Sequence, residues 1–209
     1  HHGQGVIVGA DGFRYDGPWI DGKKNGKGKI TYADGAVYEG DLKDDMREGQ
    51  GQLAMPDGLT YIGQWAAGQT SGTGKLTQPN GDVYQGQFSD GQRSGAGTVT
   101  HANGDVYTGG FKADKRDGAG VFTAKDGAVF DGTWVAGRLQ GMGKITFPDG
   151  SRYEGEVKDD QPDGTGKITY PDGSTYEGTW VASVIDGSGT ATYLSGATYT
   201  GDFKAAKPE

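Results

Sequence analysis

The amino-acid sequence predicts an all-β protein: an elongated, single-layer, twisted antiparallel sheet of tandem β-hairpins. Three observations predict this fold class, namely a 23-residue internal repeat, an alternation of apolar or glycine positions with polar ones, and a turn signal in each repeat. Glycine is abundant, with 42 residues among 209, and yet 11% of the residues are aromatic. Disordered segments are poor in aromatic residues, so this combination favours short strands joined by tight turns.

The repeat is visible as a row of aromatic residues with a constant spacing of 23. Counting in these steps from Tyr15 gives eight tyrosines and one phenylalanine, Phe130, without insertion or deletion. Each is followed by glycine two residues later, and by an aromatic or apolar residue two further on. We therefore predict one continuous repeat domain over residues 1–209, with a partial first repeat at 1–14, eight full repeats over 15–198, and a partial last repeat and tail at 199–209.

Each repeat contains two short stretches in which apolar or glycine residues share one parity and polar residues share the other. Tyr38, Gly40 and Leu42 have one parity, while Glu39 and Asp41 have the other. This period of two is that of a strand with one covered face. Because glycine has no side chain, a ring from a neighbouring strand can lie across it. The residues to which we assign this structural role in the repeat include Tyr38, Gly40, Tyr61, Gly63, Trp65, Tyr84, Gly86, Tyr153, Gly155, Tyr176 and Gly178.

The turn inside each repeat is predicted from the stretch Ala33-Asp34-Gly35 and its equivalents, four of which begin with proline. Proline fixes φ at the first turn position, and glycine takes the left-handed conformation at the last. This pattern indicates a three-residue hairpin loop, a type I turn followed by a glycine bulge. Its register places Ile30 opposite Tyr38 and Lys29 opposite Glu39, and a slip of one residue would exchange the two faces.

The same register pairs opposite charges on the polar face, Lys144 with Glu154 and Lys167 with Glu177. The connection to the next hairpin, for example "KDDMRE", is interpreted as a longer polar loop. One position in it is held by glycine or by aspartate such as Asp45, and these residues tolerate positive φ, so we predict a bend there. Consecutive hairpins then pair side by side in one sheet.

Two stretches carry a family resemblance: "YEGDLKDDMREGQGQLAMPDGLTY", which begins at Tyr38, and "YEGEVKDDQPDGTGKITYPDGSTYEGTW", from Tyr153 to Trp180. They resemble the MORN repeat, the membrane occupation and recognition nexus, whose pattern is roughly Tyr-x-Gly-x-Trp, a turn, Gly-x-Gly, a short apolar strand and a Pro-Asp-Gly turn. The resemblance covers essentially the whole chain, although Leu42 and Val157 stand where the family has Trp or Phe. It implies an elongated, slightly twisted antiparallel sheet and roles in scaffolding, dimerisation and protein binding, with phospholipid binding also proposed for the family.

Composition narrows the classes of function and compartment. The chain has no cysteine, which excludes disulfides and thiolate metal sites. Its net charge of −8 argues against a nucleic-acid partner and disfavours membrane lipid as a partner, because both kinds of binding depend on clustered Lys and Arg. No apolar run approaches the roughly 20 residues of a transmembrane helix. The lack of cysteine is compatible with the bacterial periplasm, which we favour slightly over the cytoplasm.

No chemistry-bearing motif has the context that it needs. A phosphate-binding glycine loop leads into a helix, and no helical pattern follows the Gly-x-Gly pairs, so we predict no cofactor. His101 is the only histidine beyond the first two residues, and no set of partners converges on it, so we predict no catalytic residue. Asp44-Asp45 and Asp159-Asp160 are interpreted as turn residues, which leaves no predicted metal site.

The position directly before each three-residue turn is the best candidate for function. We call it the pre-turn position; its occupants are Tyr32, Met55, Gln78, His101, Ala124, Phe147, Tyr170 and Tyr193. The fold does not require a ring there, since Gln78 and Ala124 are tolerated. Aromatic residues are favoured anchors at interfaces. We therefore predict a partner-binding or self-association surface formed by Phe147, Tyr170, Tyr193 and the neighbouring Trp180.

The leading expectation is a non-catalytic repeat scaffold that binds a protein partner or itself, with a homodimer as the expected form of self-association. A carbohydrate or cell-envelope binding module is an alternative, because exposed rings on a rigid sheet also suit stacking against sugars. An anionic phospholipid-binding module is a further alternative, disfavoured by the net charge.

Overall fold

The computed structural model describes residues 1–208, and these residues form strands and turns without any helix. They divide into two compact units, one made of His1–Ala102 with Lys112–Asp114, the other of Asn103–Phe111 and the residues from Lys115 onwards. Strands β1 to β10 belong to the first unit, and β11 (apart from Lys112) to β20 belong to the second. The all-β fold class predicted from the sequence is confirmed.

The strands of the first unit are β1 (Gly3–Val8), β2 (Arg14–Ile20), β3 (Lys23–Lys24), β4 (Gly26–Thr31), β5 (Val37–Lys43), β6 (Met46–Ala54), β7 (Thr60–Ala66), β8 (Gln69–Thr77), β9 (Val83–Ser89) and β10 (Gln92–Thr100). Those of the second are β11 (Val106–Lys112), β12 (Lys115–Thr123), β13 (Val129–Val135), β14 (Arg138–Thr146), β15 (Arg152–Lys158), β16 (Gln161–Thr169), β17 (Thr175–Val181), β18 (Val184–Thr192), β19 (Thr198–Lys204) and β20 (Lys207–Pro208). Within each unit, strands that follow one another in sequence pair antiparallel, for example β4 with β5 and β16 with β17, except that β3 and β4 both pair with β2.

The three-residue turn has the predicted geometry and register. The Gly35 amide donates to the Tyr32 carbonyl at 2.9 Å, and the Tyr32 amide donates to the Ala36 carbonyl at 2.8 Å. Gly35 has φ of 88°, the left-handed conformation that closes a type I turn with a glycine bulge. Ile30 lies opposite Tyr38, as predicted, which places both side chains on the covered face.

The second connection differs from its interpretation as a longer polar loop, and that interpretation is wrong. Lys43 pairs directly with Met46, so the turn contains only Asp44 and Asp45, with φ of 47° and 70°. Two consecutive positive φ values define a type I′ turn, whose twist matches that of the flanking strands. The predicted bend at Asp45 is confirmed, but the residues after it belong to a strand.

A β-bulge follows the type I′ turn in most repeats and explains the recurring Gly-x-Gly pair. In β5 and β6, Gly40 pairs with Gly51, whereas the next register pair is Leu42 with Arg47, so β6 carries extra residues between them. Gly49 lies in this bulge with φ of 65°, a conformation that other residues adopt at a cost. The first glycine of the pair therefore serves the bulge, and the second serves the aromatic face.

The aromatic face is built as the repeat predicts, with a tyrosine ring lying across two glycines. A Cβ atom at Gly51 would lie 2.6 Å from Cε2 of Tyr38, which is too close for any side chain. The Tyr38 hydroxyl donates to the Asp41 carbonyl at 2.7 Å, and its ring meets the Trp65 ring edge-on at 5.4 Å between centroids. Burial raises the pKa of the equivalent Tyr61 to about 12. Equivalent hydroxyl-to-carbonyl bonds are made by Tyr15, Tyr61, Tyr84, Tyr107, Tyr153, Tyr176 and Tyr199.

The polar face carries the predicted pairs of opposite charge. The Lys144 ammonium lies 3.2 Å from the Glu154 carboxylate, and Lys167 lies 3.3 Å from Glu177. All four side chains are exposed, so each pair contributes little to stability, on the order of 0–1 kcal/mol.

Candidate partner-binding surface

The pre-turn residues Phe147, Tyr170 and Tyr193 lie directly after the C-terminal ends of β14, β16 and β18, where their own turns hold them. The Phe147, Tyr170 and Tyr193 amides donate to carbonyls four residues later, at 2.8, 2.9 and 2.9 Å. Each of their carbonyls accepts a bond from the glycine three residues later, also at 2.8 to 3.0 Å. Because the amide and the carbonyl of each residue are both hydrogen-bonded, the backbone that carries each ring is held in place. We call these three rings the aromatic rim.

The aromatic rim leaves part of its rings accessible to solvent. Tyr193 is 45% exposed and the adjacent Leu194 is 74% exposed, while Phe147 and Tyr170 are half-buried. By contrast, the tyrosines that lie across glycines in the same unit, such as Tyr153 and Tyr176, are almost fully buried. The rim therefore leaves more ring surface accessible than these tyrosines do, although Phe122 and Phe130 of the same face are also half-buried.

Trp180 lies elsewhere and is almost fully buried, with 6% of its surface exposed. Its indole N–H donates to the Gly166 carbonyl at 3.2 Å, and its ring packs edge-on against Tyr153 and Tyr176. In the register it stands opposite Gly164, six residues before Tyr170, which corresponds to about 20 Å along a strand. Trp180 is thus a packing residue of the aromatic face and is not adjacent to the rim.

The turns beside the rim carry two carboxylates, those of Asp149 and Asp172, and Arg152 directly follows the first turn on the polar face, opposite Thr146 and Thr169. The turns next to Phe147 and Tyr170 have the sequence Pro-Asp-Gly-Ser and contain no lysine or arginine. Burial raises the pKa of Tyr170, and the negative charges of Asp149 and Asp172 raise it further. Hydrogen bonds from the hydroxyl and then the amide of Ser174 lower the pKa of Asp172, which keeps this carboxylate ionised.

One row of side chains on the aromatic face was not recognised in the sequence. The Arg116 guanidinium lies 4.1 Å from the centre of the Trp134 ring and donates to the Gly137 carbonyl at 2.8 Å. In the first unit, Arg47 does the same with Trp65 and with the carbonyl of Gly68, at 4.2 and 2.7 Å. Such a stacked cation combines a cation–π contact with a bond that ties neighbouring type I′ turns together. The 23-residue step would have revealed this row, which reads Lys24, Arg47, Thr70, Arg93, Arg116, Leu139, Pro162 and Ile185.

His101, in the first unit, has a structural contact. Its Nδ1 lies 3.0 Å from Oδ2 of Asp82, and the other oxygen of this carboxylate accepts the Ala102 amide at 2.8 Å. These two bonds lower the pKa of Asp82, the backbone amide making the larger contribution. The contact joins one three-residue turn to the next.

The polar face has shallow recesses and exposes some apolar side chains, such as Ile62 and Met142. In the first unit, a recess of about 720 Å³ lies beside Arg14, Lys29 and Glu39. In the second, two recesses of about 370 and 380 Å³ share Glu154 and Lys167. The charged side chains that form ion pairs there are exposed and already paired with one another, so the rim remains the stronger candidate.

Two further observations concern residues 1–208. No group of three or more His, Asp or Glu side chains in this range could hold a metal ion. The range also contains no helix whose length and apolarity would suit a passage through a bilayer.

Repeated hairpins, a tyrosine laid across paired glycines and alternating turn types together define a β-hairpin repeat protein. More narrowly, the chain belongs to the MORN repeat family, whose model matches nine consecutive segments, at residues 1–14, 15–37, 38–60, 61–83, 84–106, 107–129, 130–152, 153–175 and 176–198. The resemblance inferred from the sequence is confirmed.

Solved structures with a similar fold include the wild-type TCP10 domain of Danio rerio CPAP. The two sequences are 18% identical, and the match covers 97% of this chain and 99% of the TCP10 chain with a TM-score of 0.52. Another solved structure shows the same domain in complex with a peptide of Danio rerio STIL. It is 17% identical to this chain, and the match covers 97% of this chain and 94% of that chain with a TM-score of 0.50. At this identity the likeness concerns the fold alone. A search of curated proteins finds no match to the sequence.

Proposed function

We propose that the protein is a non-catalytic repeat scaffold that binds another protein through the aromatic rim formed by Phe147, Tyr170 and Tyr193. The observation that carries this proposal is the accessibility of rings that the fold does not need. The same pre-turn position accepts Gln78 and Ala124, whereas the tyrosines that support the fold are buried. Partly exposed aromatic residues on a rigid backbone are favoured anchors of protein interfaces.

The MORN repeat family and the fold comparison give general support to a protein-binding role. A TCP10 domain of similar fold accommodates a peptide of another protein, STIL. A sheet of this kind therefore has at least one precedent as a platform for a peptide. Trp180, which we also expected to contribute, is assigned to packing because its ring is buried.

The test is a selection of peptides from a random display library on the intact chain. Peptides that depend on the rim should bind the wild type and be lost from the variant Phe147→Ala/Tyr170→Ala/Tyr193→Ala. The variant Gln78→Ala, at the same position of another repeat, should retain them. Circular dichroism should show unchanged β-structure in both variants. If no peptide discriminates between the triple variant and the wild type, the proposal is wrong.

Comparison of the wild type with the triple variant also tests self-association and sugar binding. Light scattering of the wild type and the triple variant reports whether the rim binds a second copy of the chain. A glycan array reports whether the rings stack against sugars, as exposed rings on a rigid sheet could. Retention of a glycan that the triple variant loses would favour the cell-envelope alternative over the scaffold.

A further inference from the structure

We infer that the aromatic rim recognises a basic, proline-rich segment in the polyproline II conformation. This inference rests on the proposed function and names the chemistry of the partner. Three properties of the rim carry it: the spacing of the rings, the accessible chemistry of the rings, and the charge beside them.

The spacing follows from the repeat. Consecutive pre-turn residues are separated by 23 positions and therefore by two strands, as Tyr170 before β17 and Tyr193 before β19 show. Neighbouring strands lie about 4.8 Å apart, so the rings recur about every 9.6 Å across the strands. A ligand that crosses the strands must present its anchors at the same interval.

A polyproline II helix meets this interval most closely. It has three residues per turn and a rise of about 3.1 Å, so every third residue returns to the same face after about 9.3 Å. In an extended β-strand, side chains on one face recur about every 6.6 Å, so they no longer match the spacing of the rings after the first ring. An α-helix presents one face about every 5.4 Å, or 10.8 Å for two turns, and drifts by more than 1 Å per ring.

The chemistry of the rings also suits such a ligand. A polyproline II segment has no internal hydrogen bonds, and its prolines present flat apolar rings that pack on aromatic side chains. Tyr170 and Tyr193 each add a hydroxyl that can donate to a ligand carbonyl while the ring makes the apolar contact. Because the segment is extended before it binds, it loses little conformational entropy.

The charge beside the rim specifies basic residues in the partner. Asp149 and Asp172 lie in the turns that follow Phe147 and Tyr170, and both act on the hydroxyl of Tyr170. Neither turn contains a lysine or an arginine, and Arg152, which follows the first turn, lies opposite Thr146 and Thr169 on the polar face rather than on the face of the rim. A segment with arginine or lysine between its prolines would therefore be attracted, and an acidic one repelled.

The experiment measures binding of three synthetic peptides of equal length to the intact chain by fluorescence anisotropy. The first repeats Pro-Pro-Arg, the second has the same composition with the three-residue period scrambled, and the third replaces arginine by glutamate. The first should bind at least about tenfold more tightly than either control. Tyr170→Ala should weaken its binding about tenfold, as expected for the loss of one anchoring ring, and Gln78→Ala should not change it.

A gain of binding provides the sharper test. Ala124 occupies the pre-turn position next in the row beside Phe147, and Ala124→Tyr would extend the rim by one ring. This variant should tighten binding of a Pro-Pro-Arg peptide long enough to reach it, and should not affect a shorter one. Equal affinity for the periodic and scrambled peptides would overturn the inference.

The outcomes separate this inference from the proposed function. If the display library yields rim-dependent peptides that lack a proline period, the inference is wrong and the scaffold function stands. If neither the library nor the peptides give rim-dependent binding, both are wrong.

Discussion

The smallest structural unit of this protein is one tyrosine and the glycines beneath it. In the repeat of Tyr176, a Cβ atom at Gly189 would lie 2.6 Å from two carbon atoms of the tyrosine ring, so only glycine leaves room for it. In the repeat that has Phe130 instead of tyrosine, a different side chain covers the glycines. There the side chain of Leu139, which is fully buried, covers the glycines, and a Cβ at Gly143 would have no neighbour closer than 3.2 Å.

These two repeats provide a matched pair of substitutions. Gly189→Ala should lower the free energy of unfolding by about 2–3 kcal/mol, because the added methyl group forces the Tyr176 ring off the sheet. Gly143→Ala, at the same repeat position, should cost less than about 1 kcal/mol, since shifts of a few tenths of an ångström by Val157, Leu139 and the Asp131 carbonyl would accommodate it. Urea denaturation of both variants provides the measurement. Equal losses would mean that the steric role of the tyrosine ring is not what requires glycine.

Contacts that follow directly from a row of identical residues were predictable from the sequence. The tyrosine-over-glycine contact is of this kind, because every repeat except that of Phe130 shows both residues at fixed positions. The stacking of Arg116 on Trp134 was not predicted, because it joins different repeats and depends on which face the arginine occupies. In the first unit that face is set by the two-residue type I′ turn, which places Arg47 directly opposite Leu42, and this turn was misread as a longer loop.

At the scale of the element, the two turn types differ in how plainly their residues encode them. The three-residue turn was predictable because proline, aspartate and glycine each match one of its positions. The two-residue turn was misread as a longer loop, because the residues after it are polar. Arg47 shows the reason: its pairing with Leu42 makes it a strand residue, and its charge is accommodated by stacking on an aromatic ring.

Not every type I′ turn has the residues that its backbone favours. Ala182 and Ser183 adopt φ of 45° and 71°, although neither residue type is favoured in the left-handed region. The double substitution Ala182→Asn/Ser183→Gly should therefore raise the free energy of unfolding by about 0.5–2 kcal/mol. Thermal and urea denaturation would measure the gain.

The equivalent turn at Asp90 and Gly91 provides the control. This pair is already one that type I′ turns prefer, so Asp90→Asn should leave stability within about 0.5 kcal/mol of the wild type. A similar gain at both turns would indicate that asparagine acts through something other than relief of backbone strain.

At the scale of the whole molecule, the protein is an array in which a strand pairs only with its neighbours. Within each unit, β6 contacts β5 and β7, and β16 contacts β15 and β17, as is true along the series. The stability of such an array is approximately the sum of its repeats and of the interfaces between adjacent ones. Removal of a complete repeat should therefore be tolerated, provided that the alternation of faces continues across the junction.

A pair of deletions tests this property in the first unit. Deleting residues 61–83, one family repeat, joins Thr60 to Tyr84, so that a tyrosine again follows this threonine and the register is preserved. This variant should keep its β-sheet circular dichroism. Its m-value, the slope of the free energy of unfolding against denaturant concentration, should fall by roughly a tenth, in proportion to the surface removed. Deleting residues 61–82 instead inserts Val83 before Tyr84 and moves every following side chain of that strand to the opposite face. The shorter deletion should therefore lose far more stability than the longer one, and equal stability of the two variants would show that the period of 23 does not set the faces of the sheet.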